Sequence, residues 1–118
     1  MSAREFEFTM GQLTARAPLF AALGDETRLR LVARLASGGP MSIARLAAGA
    51  GVTRQAITKH LQVLSNAGLV RGSRKGRESV WEIEPDQLEE ARRYLEVISQ
   101  QWDDVLSRLK AAVEDSSP

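Results

Sequence analysis

The chain has 118 residues, enough for one domain with a real core but short for an elaborate enzyme. Its 43% apolar and 26% charged content is ordinary for a soluble globular protein, and the absence of cysteine excludes disulfides, thiolate metal sites, cysteine nucleophiles and thiol redox sensing. The net charge of +1 hides a segregation: six cations against four acids over residues 1–52, six against none over 53–77, and four against eleven over 78–118. From the amino end, "MSAREFEFTM" carries two Glu and no apolar core, so it does not read as a signal peptide, and no run approaches the roughly 18 to 20 apolar residues of a membrane span. A cytoplasmic protein without a membrane partner is expected.

Residues 1–12 read as a flexible arm, followed over 13–113 by a single domain, with 114–118 a frayed tail. A first helix lies near "GQLTARAPLFAALG", with Pro18 suited to a helix's first turn. Asp25 caps "ETRLRLVARLAS", whose Leu29, Val32, Leu35 and Ala36 share a face, and Gly38, Gly39 and Pro40 end it. Ser42 caps "IARLAAGA", with Ile43, Leu46, Ala47 and Ala50 at helical spacing. After a two-residue turn at Gly51, Thr53 caps a further helix with Ile57, Leu61 and Leu64 inward, and Gly68 ends it. Two short helices joined by a tight glycine turn form a helix-turn-helix unit.

"LVRGSR" and "RESVWEIE" read as strands around "KG", a hairpin carrying Arg71, Arg74, Lys75 and Arg77 near its tip. The last helix runs from about 86 to 113. Leu88, Ala91, Leu95, Ile98, Trp102, Val105, Leu109 and Ala112 alternate spacings of three and four along it, with Val97 and Leu106 widening the stripe. That width suits a helix packed on its own core and also on a partner's copy, with Leu88, Leu95, Ile98, Trp102, Val105 and Leu109 as the seam. The fold class is mainly α with a small β-hairpin and a long C-terminal dimerisation helix.

The acid-free block has a chemical reading. On a helical wheel centred on Ile57, Gln55, Thr58, Lys59 and Gln62 lie opposite the buried line and Arg54 flanks the amino end. Arg or Lys suits guanine O6 and N7, Gln suits adenine, and the Thr methyl suits thymine. Thr53 and the first-turn amides can hold a phosphate. A carboxylate on such a face would meet a duplex carrying one charge per roughly 1.7 Å. The helix is therefore expected to read bases, and the hairpin cations to anchor the backbone and reach a minor groove.

"LFAALGDETRLRLVARL", "TRQAITKHLQVLSNAGLV" and "KGRESVWEIEPDQL", over residues 19 to 88 or so, together resemble the ArsR-type (arsenic-repressor-like) bacterial winged helix-turn-helix transcription factors. The resemblance implies a homodimer on double-stranded DNA, Thr53 to Gln62 in the major groove and Arg77 as the wing residue near the minor groove. It also implies repression by promoter blocking, relieved by an inducer that these residues do not identify. With the recognition helices about one DNA turn apart, an imperfect inverted repeat is expected.

The metal-sensing members carry cysteines near the helix that begins here at "MSIARLA", or His and Asp on the last helix. This chain has neither, so no metal and no cofactor are expected. The tail instead resembles a cysteine-free subset often encoded beside START-like proteins, which implies regulation of a small neighbouring operon, its own included.

His60, the single histidine, suits either a half-packed hydrogen-bonding residue or a backbone-phosphate contact. Trp81 and Trp102 suit core or seam. One His, no Cys and no phosphate loop assemble no catalytic site. The competing reading is a winged-helix protein-docking module that never reads DNA. Against it stands the Lys and Arg face without an aromatic residue between 53 and 77.

Overall fold

The computed structural model describes residues 2–115 and contains α1 (Ala3–Ala15), α2 (Ala17–Leu23), α3 (Glu26–Gly38), α4 (Ile43–Ala47), α5 (Arg54–Asn66), β1 (Val70–Lys75), β2 (Glu78–Ile83) and α6 (Pro85–Asp115). The expected tail at 114–118 lies largely outside the described residues. The chain divides into two compact units, Arg16–Leu88 and a second made of the segments before and after it.

The Arg16–Leu88 unit is a winged helix-turn-helix. Its core is Leu46, Ile57, Leu61, Leu64 and Leu69, all without solvent exposure, closed by Leu19, Leu31, Leu35, Val70 and Val80. Side-chain caps start the central helices: Asp25 accepts from the Arg28 amide, Ser42 from the Arg45 amide and Thr53 from the Ala56 amide. Each satisfies one orphan N–H of a first turn and so sets where that helix begins. The α5 end is closed by Gly68, whose φ of 78° lets the Leu69 amide return to the Leu64 carbonyl at 2.9 Å.

The hairpin pairs antiparallel from Val70 opposite Ile83 to Lys75 opposite Glu78, and Gly76 at φ 64° supplies the left-handed residue of its two-residue loop. Three features of this unit differ from the sequence expectation. Met41 bridges Trp81 through two backbone hydrogen bonds of 2.9 and 2.8 Å, adding a one-residue third strand beside β2. A single paired residue has no periodicity to announce it.

On α3 the inward residues are Leu31 and Leu35, whereas Leu29 and Ala36 are exposed. The inward face lies one helical step from the expected one, because the run offers two overlapping apolar lines. Helix α4 is also shorter than expected. It stops at Ala47 and leaves Ala50 exposed, because Gly49 at φ 71° and Gly51 at φ 73° open the turn well before Thr53.

In the second unit, the segment expected as an arm over residues 1–12 is instead helical from Ala3. The Ser2 hydroxyl accepts from the Glu5 amide at 3.1 Å, and the carboxylate of Glu5 sits in the first turn. Thr9 and Leu13 are buried on α1, while Phe6, Phe8 and Met10 are exposed. The 31-residue α6 begins and ends within two residues of the expected span. Among the described residues Ala91 alone is buried along it; Leu95, Trp102, Val105, Leu106, Leu109 and Val113 are exposed, and Leu88 and Ile98 half-buried.

Candidate nucleic-acid interface

Helix α5 carries its two jobs on opposite sides. Ile57, Leu61 and Leu64 are fully buried, so the helix cannot rotate without emptying the core. That fixes Arg54, Gln55, Lys59 and Gln62 on the exposed side, with Thr58 half-buried at its edge. No acid interrupts this face.

Two hydroxyls on the helix are already engaged. Thr53 Oγ1 accepts from the Ala56 amide at 3.1 Å, and Thr58 Oγ1 donates to the Arg54 carbonyl at 2.9 Å. The Thr58 hydroxyl proton thus serves its own helix, and its methyl is the more useful contact. At the helix start, the Arg54 and Gln55 amides lie in the first turn, where no intrahelical carbonyl reaches them. Such donors, at the positive end of a helix dipole, suit a phosphate oxygen.

His60 is drawn inward from this face. Its Nδ1 lies 3.4 Å from Arg28 Nη1 and 3.8 Å from the Asp25 carboxylate. Arg28 donates through Nε to the Ala22 carbonyl at 2.6 Å. One guanidinium thereby ties the end of α2 and the start of α3 to the middle of α5. The Asp25 carboxyl is held below its usual range, first by the Arg28 amide and, against a smaller effect of burial, by the charges of Arg28 and His60. The capping role of Asp25 is legible from its place before "ETRL"; its link to His60, 35 positions on, is a tertiary contact that no local pattern announces.

A second missed residue is Arg34, whose guanidinium donates to the Leu46 carbonyl at 2.8 Å and the Arg45 carbonyl at 3.1 Å. It satisfies the orphan carbonyls of short α4, which has too few residues to do so itself.

The hairpin splits its cations into two kinds. Arg71 stands opposite Glu82 in the register, and its guanidinium donates to Glu82 at 3.1 Å and Glu84 at 3.0 Å. These carboxylates raise its pKa, Glu82 most. Arg74, Lys75 and Arg77 are exposed at and beside the tip, and among the described residues no acid lies within ion-pair distance of them. Register sets both Arg71 opposite Glu82 and Lys75 opposite Glu78, but only the Arg71 side chain closes on its acids, a choice that sequence spacing does not announce.

A helix-turn-helix domain family matches residues 23–73, the span from the end of α2 to the middle of β1. The HTH-type transcriptional regulator Rv2034 of Mycobacterium tuberculosis is 38% identical over 85 residues, covering 70% of this chain and 78% of the relative. An ArsR-like transcriptional regulator from Rhodococcus sp. RHA1 has a solved structure that superposes with a TM-score of 0.72. It is 37% identical, with 86% of this chain and 95% of that one covered.

The chain belongs to the ArsR-type family of winged helix-turn-helix transcriptional regulators. It is a DNA-binding regulator, a class that acts by binding and carries out no catalysis. The homodimeric winged helix-turn-helix DNA-binding domain of Mb0332 from Mycobacterium bovis shares this fold at 24% identity, with a TM-score of 0.57 and coverage of 92% and 93%. Among the described residues of this ArsR-type chain, no three His, Asp or Glu converge as a metal site and no helix is long and apolar enough to cross a membrane.

Proposed function

We propose that this ArsR-type protein is a homodimeric, non-metal-sensing repressor that binds an imperfect inverted repeat in the promoter of a small operon, its own included. The observation that carries the reading is the acid-free face of α5, locked outward by the completely buried Ile57, Leu61 and Leu64. Arg54, Gln55, Thr58, Lys59 and Gln62 read bases in the major groove, with Thr58 using its methyl. Thr53 and the first-turn amides hold a phosphate, while Arg74 and Lys75 hold the flanking backbone. Arg77, at the loop of the wing, enters the neighbouring minor groove. Arg71 contributes least of the hairpin cations, because Glu82 and Glu84 already neutralise it. His60 positions the helix through Arg28 in place of touching a phosphate.

Dimerisation through Leu88, Leu95, Ile98, Trp102, Val105 and Leu109 is supported by the exposed apolar seam of α6 and by the homodimeric relative of the same fold. A non-metal trigger is supported by the donor set, which has no thiolate and a single imidazole already committed to Arg28. The protein then works where the chromosome is, in the cytoplasm.

Fluorescence anisotropy on the gene's own upstream DNA against a scrambled duplex, at about 150 mM salt, tests the reading. Specific binding should exceed non-specific by roughly 10³-fold or more. Equal, salt-fragile binding to both would reduce the cations to a phosphate coat. Binding to neither would favour the protein-docking module.

A further inference from the structure

We propose that Thr58 makes DNA binding methyl-dependent: at one position of each half-site it selects a pyrimidine that carries a C5-methyl group. The inference rests on the base-reading role proposed for α5 and names the chemical group that one of its side chains reads. Thr58 sits at the edge of the reading face, one turn on from Arg54 and Gln55 and one turn before Gln62.

Two observations set Thr58 apart from these neighbours. It is half-buried where they are exposed, and its hydroxyl is engaged, donating through Oγ1 to the Arg54 carbonyl at 2.9 Å. A threonine has a single hydroxyl proton, so none is left for an acceptor on a base edge. That bond also holds a β-branched side chain that is already stiff at χ1. The backbone beneath it is held too, because Ile57 beside it and Leu61 one turn on are wholly buried. What Thr58 has left to offer, in a fixed place, is its methyl.

A methyl among long polar side chains gains from a groove only where it meets another apolar group. In the major groove that group is the C5-methyl of thymine, at the position where cytosine carries only a hydrogen. Burying one methyl is worth roughly fourfold in affinity, hence roughly fifteenfold when both half-sites lose it. Thymine and 5-methylcytosine share the methyl, whereas uracil and cytosine lack it. Uracil keeps the hydrogen-bonding edge of thymine, so exchanging one for the other removes the methyl and nothing else. Thr58→Ser makes the same deletion on the protein, keeping the hydroxyl that bonds the Arg54 carbonyl. Thr58→Val keeps the methyl and removes the hydroxyl.

The test starts from the gene's own upstream DNA, with uracil sparsely replacing thymine. Protein-bound and free fractions are separated, and uracil is mapped in each by glycosylase cleavage. The bound fraction should be depleted of uracil at one thymine per half-site that the Thr58→Ser protein no longer distinguishes. Synthetic duplexes with thymine, uracil, cytosine or 5-methylcytosine at those two positions then give affinities by anisotropy. For the unaltered protein, uracil should cost roughly fifteenfold against thymine, and cytosine a similar factor against 5-methylcytosine. The thymine-to-uracil ratio should fall to about one in Thr58→Ser and keep its full size in Thr58→Val, whatever the overall affinity of either variant.

Specific binding with no uracil-sensitive thymine, or a ratio that survives in Thr58→Ser, would overturn the inference. A ratio lost in Thr58→Val would overturn it too, by giving the reading to the hydroxyl. A response to thymine without one to 5-methylcytosine would show that the methyl is not what is read. Failure of the unaltered protein to separate its upstream DNA from a scrambled duplex would instead overturn the repressor reading.

Discussion

The two units of this chain treat their apolar residues in opposite ways. In the winged unit Leu46, Ile57, Leu61, Leu64 and Leu69 are wholly buried, whereas on α6 Trp102 is 63% exposed and Leu109 59%. Ile57, Leu61 and Leu64 repeat at helical spacing just as the α6 residues do. The winged unit needs no second chain to complete its core, and its exposed surface is therefore free to be cationic and to read a polyanion. The last helix is amphipathic along its whole length, and its apolar stripe makes sense only with something laid against it. Under the proposed function, one unit reads and the other brings a second reader to the duplex.

The largest effect should come from the closed core. Leu61→Ala should cost about 2–5 kcal/mol in denaturant unfolding, through lost burial and a residual cavity. Leu109→Ala in dilute, monomeric protein should stay within about 0.5 kcal/mol. Similar losses at the two positions would erase the contrast between the units.

Next in size is the seam. Trp102→Glu with Leu109→Glu should raise the dimer dissociation constant by about 2 kcal/mol or more in sedimentation, the scale of interface hot spots. A dimer that survives both substitutions would place its interface elsewhere.

On the reading side, Arg54→Ala should weaken the cognate duplex by about 1–3 kcal/mol and relax its sequence preference. Equal weakening on random duplex would remove its base contact. Arg77→Ala should flatten the slope of log affinity against log salt by about one unit, and Arg71→Ala by visibly less, since Glu82 and Glu84 already neutralise that guanidinium. Equal changes would mean the carboxylates release Arg71 on DNA.

The smallest effect concerns acid. Because folding depresses the Asp25 pKa, its stabilisation is fully present above the ordinary value of 3.8 and is lost as pH falls below that, through the depressed folded value. Asp25→Asn should make the acid-unfolding curve shallower in that window and leave its shape near neutrality unchanged.

What the sequence made legible was local. Asp25, Ser42 and Thr53 announced three helix starts because a capping side chain acts on amides two or three residues away. Ile57, Leu61 and Leu64 fixed the inward face of α5, and "KG" marked the hairpin loop. What stayed hidden was set by tertiary contact. The bridge from Met41 to Trp81, the tie of Arg28 to His60 and the capping of α4 by Arg34 each join residues far apart in the chain.

The α3 face was misplaced because Leu29 and Leu31 both begin apolar lines, and only the neighbouring elements choose between them. The pairing of Arg71 with Glu82 depended on hairpin register. For the candidate interface, the face of α5 was therefore readable from spacing alone. The residues that hold that face in place were not.

The division of labour is tested most directly by an anisotropy titration of the specific duplex with the Trp102→Glu, Leu109→Glu double variant, its fold checked by circular dichroism. The account predicts a folded protein that keeps its weak affinity for random duplex but loses about a hundredfold or more on the inverted repeat, because two half-sites are no longer held by one dimer. Undiminished affinity for the repeat by a monomeric double variant would contradict it, and would leave the winged unit reading DNA alone.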